Sequence, residues 1–426
     1  MSTSELNETS VEAQVEEIVR ASERARDAMF AISAETDRTG DVTAAMELAW
    51  QAGIHRLSIP PEFGGISDGS MQFQLEAVAK ALLNISEGEQ SCGQMVGTQF
   101  LHLRLTYGPH SDTPREVKEA IASSFAERET RLFGAGNPTG VLQNAGVVAR
   151  RVPGGIKVNG TIAFATQSNG KHGFVTCLCW LLNDEGTDYE FAAGYTTLGT
   201  KGVIVHNDWD NMGQRASGSG RMSFEDVFIP DGWWHKFNLL GGGGSGGGGV
   251  LDFGGFPIIA IMLLGMGQAA YRAELEFLKD RVDRPVWPIF EGPKDDILVH
   301  VRLGKHRAAL AAAKALVLQA SRDAEHVDER SDRAALQMQA AAARQVATQA
   351  ALYVSADLFE LTGARSTASK YDMDRFWRNA RTLGIHDASD IDYAAIGFYE
   401  INGTITPALR QRVARVLKKP DLPTQA

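Results

Sequence analysis

The chain has 426 residues, 44% of them hydrophobic, with 3 cysteines and a formal net charge of −10. That length supports a large core in two or three structural units, and the acidic balance speaks against non-specific binding to nucleic acid or to anionic membranes. So few cysteines, two of them (Cys177 and Cys179) spaced for one face of a strand, fit a reduced, cytoplasmic protein without a zinc-type ligand set.

The opening MSTSELNETSVEAQVEEIV is polar and acidic, unlike a signal peptide. VEAQVEEIVRASERARDAMFAISAE and GDVTAAMELAWQAG place apolar residues three and four apart and predict helices. Pro60-Pro61 and Gly64-Gly65 in LSIPPEFGG interrupt them with a loop. A helical domain is therefore expected over 1–128. VVARRVPGGIKVNGTIAFAT then reads as a hairpin turning at Pro153-Gly154-Gly155, and GFVTCLCWLL, YEFAAGYTTL and GRMSFEDVFIP continue as strands. They define a small antiparallel β domain over 129–236.

GGGGSGGGG, Gly241 to Gly249, has the composition of a flexible spacer. It reads as an engineered replacement of a natural loop at 237–250 and carries no functional argument. The apolar run Phe256 to Ala270, interrupted by Gly265 and Gly267, is shorter than the ~20 residues of a membrane span. Ile297 to His326 and Asp332 to Thr362 are Ala-rich runs that would each extend roughly 45 Å as helices. Close packing of such helices predicts a bundle over 251–426, with Gly363 as a helix-ending residue. The expected fold class is α+β: helices, an antiparallel β unit, then a helical bundle.

Two glycine patterns imitate dinucleotide fingerprints. GAGNPTG, Gly134 to Gly140, has the wrong last spacing and Pro138 where a helix would start. GMGQAA, Gly265 to Ala270, lacks the repeating βα units that a nicotinamide-binding domain needs, and small residues for close helix contact explain it better. Electrons for any redox chemistry would then arrive by another route.

Three stretches carry candidate chemistry, each with a plainer reading beside it. NDWDNMGQRASGSGRMSFEDV, Asn207 to Val227, brings Trp209, Arg215, Ser217 and Ser219 ahead of a strand. It is either a polar turn around one Trp or a wall for a flat ring with hydroxyl and N–H donors. FATQS puts Thr166 at a strand end, where it serves a ligand or nothing. DRFWRNARTLGIHDASD, Asp374 to Asp390, packs Arg375, Arg378 and Arg381 beside Trp377 and closes on His386-Asp387. That is an ion-paired helix end or the wall of an active site, and a His next to a carboxylate suits acid–base work. Asp387, Asp390 and Asp392 complete no metal ligand set, so no metal is expected.

The order of elements resembles the acyl-CoA dehydrogenase superfamily along nearly the whole chain. SIPPEFGG, NDWDNMGQRASGSGRMSFEDVFIP and RFWRNARTLGIHDASD resemble three of its segments. Where the dehydrogenases carry the catalytic Glu of a Tyr-Glu-Gly, this chain reads His386-Asp387-Ala388. The late stretch is similar instead to the flavin-dependent monooxygenases of this fold, above all the dibenzothiophene monooxygenase family. Those carry Arg-Asn-Ala-Arg followed by His-Asp-Pro, so Ala388 is a departure. LTGARSTASKYDMDRFWRNAR and DRPVWP match that branch as well.

The resemblance implies a two-component enzyme. Reduced flavin, FMN with FAD as the alternative, is supplied by a separate NAD(P)H:flavin reductase. O2 adds to it to give a flavin C4a-hydroperoxide, which oxygenates a sulfur, a nitrogen or an aromatic carbon of a small, heteroaromatic substrate. Residue by residue it implies flavin contacts at Asn137, Thr166, Trp209, Arg215 and Ser217. It also implies flavin-phosphate contacts at Arg375 and Arg378, and a catalytic pair, His386 as acid–base group with Asp387 orienting it. A homotetramer is implied too. Two rivals remain: an oxidase or dehydrogenase of the nitroalkane-oxidase kind with Asp387 as base and a tightly held flavin, and a non-catalytic flavin-binding scaffold.

Overall fold

Helix α1 (Val11–Thr39) shows how the helices follow from local sequence. The Ser10 hydroxyl accepts from the Ala13 N–H at 3.2 Å and caps its start. Val15, Ile18, Ala25 and Met29 face the core at helical spacing, and Gly40, at φ 72°, ends it in the left-handed conformation. The computed structural model describes residues 10–108, 111–128, 131–135, 146–170, 172–185, 189–236, 257–282, 289–327, 331–386 and 388–404. The Gly/Ser stretch 241–249 lies outside these.

The N-terminal helices continue with α2 (Thr43–Gln51), α3 (Leu75–Gly88), α4 (Gln90–Tyr107) and α5 (Arg115–Ala126). The C-terminal ones are α6 (Ile258–Arg281), α7 (Ile297–Glu325), α8 (Arg333–Thr362), α9 (Arg375–Gly384) and α10 (Ser389–Asn402). Both sets contribute to one apolar cluster, including Met29, Leu82, Leu264, Ala351 and Phe376. Helix α6 is long and apolar enough to cross a membrane by composition alone, but 72% of its most apolar window is buried inside the protein. GMGQAA lies within it, and its glycines do the packing expected of them. A Cβ at Gly265 would sit 2.5 Å from the Ser86 Cβ of α3, and one at Gly267 3.0 Å from the Ala351 Cα of α8.

One buried polar feature ties the bundle together. The His306 imidazole of α7 lies 2.9 Å from Glu274 of α6 and 3.0 Å from Asp357 of α8. Burial opposes its charge, but the two carboxylates outweigh burial and hold its pKa above the usual value.

Between the helical sets stands an eight-stranded sheet: β1 (Leu132–Ala135), β2 (Val147–Val152), β3 (Gly155–Ile162), β4 (Phe174–Leu182), β5 (Tyr189–Thr197), β6 (Val203–Val205), β7 (Met222–Pro230) and β8 (Trp234–Lys236). Its order is β6-β7-β3-β2-β4-β5-β8, with β1 also on β4. The β2–β3 hairpin turns at Gly154, φ 79°, as expected. The sheet is antiparallel except at β4, which pairs in parallel with β1 and with β2. Every residue of β4 is buried, Cys177 and Cys179 included.

Candidate active site

Strands β3 and β7 pair antiparallel with Ile162 opposite Met222, so the loop leaving β3 (163–169) and the loop entering β7 (206–221) emerge side by side. Their backbones join: Ala165 N–H donates to Gly220 O at 3.0 Å, and Gln167 N–H to Ser217 O at 2.9 Å. Four non-glycine residues here are left-handed, namely Phe164 (φ 62°), Gln167 (78°), Asn207 (50°) and Gln214 (55°). Each such residue costs about 1–2 kcal/mol and persists only where its surroundings impose it.

Those surroundings are present. Arg131 Nη1 donates to Gln167 O at 2.9 Å and to Asn169 Oδ1 at 2.6 Å. Gln167 Nε2 donates to the Met95 carbonyl of α4 at 2.9 Å. The backbone of Gln214 is held at both ends. Trp209 Nε1 donates to its carbonyl at 2.8 Å, and its N–H donates to Asn379 Oδ1 of α9 at 2.6 Å.

The loops carry a short chain of hydroxyls. Thr166 Oγ1 lies 2.9 Å from Ser219 Oγ, which lies 2.8 Å from Ser217 Oγ. Beside it is an apolar ledge: Phe164 is 68% exposed and stands edge-on to Trp209 with ring centroids 6.3 Å apart, and Met212 is exposed on the same loop as Trp209. Arg215 is exposed on the same loop. The Gln167 and Gln214 Oε1 atoms are buried without partners in the protein. An uncovered aromatic wall next to unpaired polar atoms fits a flat ring with a polar edge, as a flavin has.

Of the residues singled out from the sequence, Thr166, Trp209, Arg215 and Ser217 fall on these two loops. Arg375 and Arg378 correct an expectation. Arg375 is buried, donating to Asp372 O at 2.7 Å and to Ser33 Oγ at 3.1 Å. Arg378 pairs with Asp37 at 2.8 Å, Asp372 at 3.0 Å and Asp374 at 2.7 Å, and donates to Met212 O at 2.8 Å. Both guanidiniums are turned into the protein, where they fasten α9 to α1 and to the 206–221 loop. They are not offered to a phosphate. His386 lies just beyond the end of α9, exposed, with its N–H donating to Leu383 O at 3.0 Å. Asn137 and Asp387 lie outside the described residues. Asp392 pairs with Arg344 at 2.7 Å, and among the described residues no group of three or more His, Cys, Asp or Glu gathers as a metal site.

Sequence reasoning passed over Phe164, Gln214, Asn379 and His102. His102 of α4 packs against β1, where a Cβ at Gly134 would lie 2.3 Å from its Cε1. Burial pulls its pKa down to about 4, so it is neutral at pH 7. The signal available was periodicity: Met95, Gln99 and His102 share one helical face.

Beneath the loops, Glu89 caps α4 by accepting from Ser91 N–H at 3.3 Å and Cys92 N–H at 2.5 Å. Burial pushes its pKa from 4.5 to about 7. A carboxyl raised in the folded state gives stability that is present below its unfolded pKa and is lost as pH rises to the folded value. Glu89→Gln is therefore expected to gain about 1–3 kcal/mol relative to the parent between pH 5 and pH 8, read by urea denaturation at both. An unchanged difference would mean the carboxyl is ionised throughout.

The chain is also similar in sequence and fold to known proteins. Residues 257–390 match the family model for the acyl-CoA dehydrogenase C-terminal domain. The chain is 28% identical over 394 residues to dibenzothiophene monooxygenase of Mycolicibacterium goodii, covering 86% of this chain and 89% of that one. It is 26% identical over 380 residues to the probable FMNH2-dependent monooxygenase SfnC of Pseudomonas putida, covering 86% and 90%. The dibenzothiophene monooxygenase TdsC of Paenibacillus sp. A11-2, solved with FMN and indole, superposes with a TM-score of 0.78 at 22% identity, covering 91% of this chain and 98% of that one. By sequence and fold the chain is similar to the flavin-dependent monooxygenases of the acyl-CoA dehydrogenase fold.

Proposed function

We propose that this protein is the oxygenase of a two-component flavin-dependent monooxygenase, acting on a small heteroaromatic compound at sulfur, nitrogen or an aromatic carbon. The observation that carries the reading is the Phe164–Trp209 ledge lying beside the Thr166–Ser219–Ser217 hydroxyl chain. Reduced FMN, once bound, supplies the activation of O2.

The chain's own residues supply the rest. Phe164 and Trp209 offer faces for the ring. Thr166 and Ser217 offer hydroxyls to its polar edge, and the exposed Arg215 offers charge to an anionic tail. Asn137, which follows β1 in sequence, is a further candidate contact for the flavin. One oxygen atom enters the substrate and the other leaves as water, which requires a proton. His386 gives that proton, and Asp387 orients it. Water must be kept from the site while this happens, and an apolar ledge covered by substrate does so.

The partner is a separate NAD(P)H:flavin reductase. The assembly is a homotetramer in the cytoplasm. On α7, Ile297 (56% exposed) and Val301 (48%) continue into exposed Gly304, Ala308, Ala311 and Ala315, a face on which another helix can lie closely.

The test supplies anaerobically reduced FMN and then O2, with dibenzothiophene, indole and other heteroaromatic acceptors. Oxygenated product is expected, with hydrogen peroxide falling as product rises. Stoichiometric peroxide without product across such a panel would end the reading.

A further inference from the structure

We infer that Asn379 is a positioning residue: from α9 it fixes the left-handed turn at Gln214 and thereby sets the Ser217–Ser219–Thr166 hydroxyl chain in place. It touches neither the ledge nor the hydroxyls and acts only through the loop. The inference for flavin binding rests on the proposed function. The inference for loop placement does not.

The argument starts from burial. Asn379 and Gln214 are both 0% exposed. Asn379 Oδ1 accepts the Gln214 N–H at 2.6 Å, and Asn379 Nδ2 donates to Gln90 Oε1 of α4 at 3.2 Å. One side chain thus joins the bundle, the N-terminal helices and the sheet loop. A buried backbone N–H is costly to leave without a partner, so the acceptor and the turn are held together.

The neighbouring contact leaves the loop little room. A Cβ at Gly213 would lie 2.1 Å from the Arg378 carbonyl oxygen, so the loop runs directly over the backbone of α9. Gln214 then takes φ 55°, and its carbonyl receives the Ser217 N–H at 3.0 Å as well as Trp209 Nε1. Ser217 O and Gly218 O in turn receive the amides of Gln167 and Ser168 from the opposite loop. The order of support runs from Asn379 to Gln214, then Ser217, then Thr166. A shift at the first of these moves the hydroxyl chain relative to the ledge.

Two variants separate the acceptor from the bulk of the side chain. Asn379→Leu removes the acceptor. Asn379→Asp keeps it, and the Gln90 Nε2, buried without a partner, can turn to donate to the new carboxyl. Amide hydrogen exchange across residues 207–220 is followed together with the affinity for FMN. In Asn379→Leu the segment should exchange at least tenfold faster and FMN affinity should fall at least tenfold. Asn379→Asp should stay within about threefold of the parent in both. Equal losses in the two variants, in step with their melting temperatures, would make Asn379 a packing residue and overturn the inference. So would unchanged exchange in Asn379→Leu. If the parent itself fails to bind FMN, the proposed function falls, while the exchange measurement still decides the role of Asn379.

Discussion

Alanine at position 386 is expected to leave FMN affinity within about threefold of the parent and to lower product formation 10²–10⁴-fold, the usual worth of a positioned proton donor. Oxygen would still be consumed, but it would emerge as hydrogen peroxide. His386 stands exposed beyond the last turn of α9, where a bound substrate or a neighbouring subunit can cover it without any rearrangement of the core. Its removal leaves the buried ion pairs of α9 untouched. Product and peroxide, counted per FMN oxidised, make the measurement. Product at the parental yield would take His386 out of the chemistry. Loss of turnover in Asp387→Asn alone, in protein that purifies yellow and needs no reductase, would install the oxidase reading with Asp387 as base.

The second large effect is structural. Arg378→Met should cost about 3–5 kcal/mol at pH 8, because it leaves buried carboxylates without their cation. Asp37 and Asp372 are only 3% and 7% exposed. Burial, with Asp37 adding to it, already pushes the Asp372 pKa up to about 6 even with Arg378 present. Without the guanidinium that value rises further, so the variant takes up a proton on folding that the parent takes up less readily. The defect must therefore shrink as pH falls from 8 to 5. Chemical denaturation at both pH values reads it. A loss below ~1 kcal/mol at each would show that water reaches the cluster and solvates the carboxylates.

What the sequence made legible was local. Gly154 turns the hairpin, and the two Ala-rich runs became α7 and α8 almost residue for residue, because turns and periodicity act over a few positions. The loop hydroxyls were half legible. Ser217 and Ser219 lie close in sequence, but Thr166 joins them from 53 positions away. Arg375 and Arg378 show the limit most clearly. A basic stripe on a short helix reads alike whether it faces a phosphate or a carboxylate, and the deciding Asp37 is 341 positions distant from Arg378. Nor does any periodicity reveal that β4 takes two parallel neighbours, or that α1 and α9 share one core.

Helix α9 is short, and under the proposed function its two ends have different duties. Near its start it meets the loop through Arg378 and Asn379, while His386 follows its last turn, roughly 12 Å further along at 1.5 Å per residue. In that role it would act as a lever pivoting at its start. A tilt of about 5° at the fulcrum would carry His386 by roughly 1 Å, a displacement that can cost an enzyme on the order of a hundredfold in rate. Substitutions around Arg378 and Asn379 would then register as lost turnover well before the protein begins to unfold.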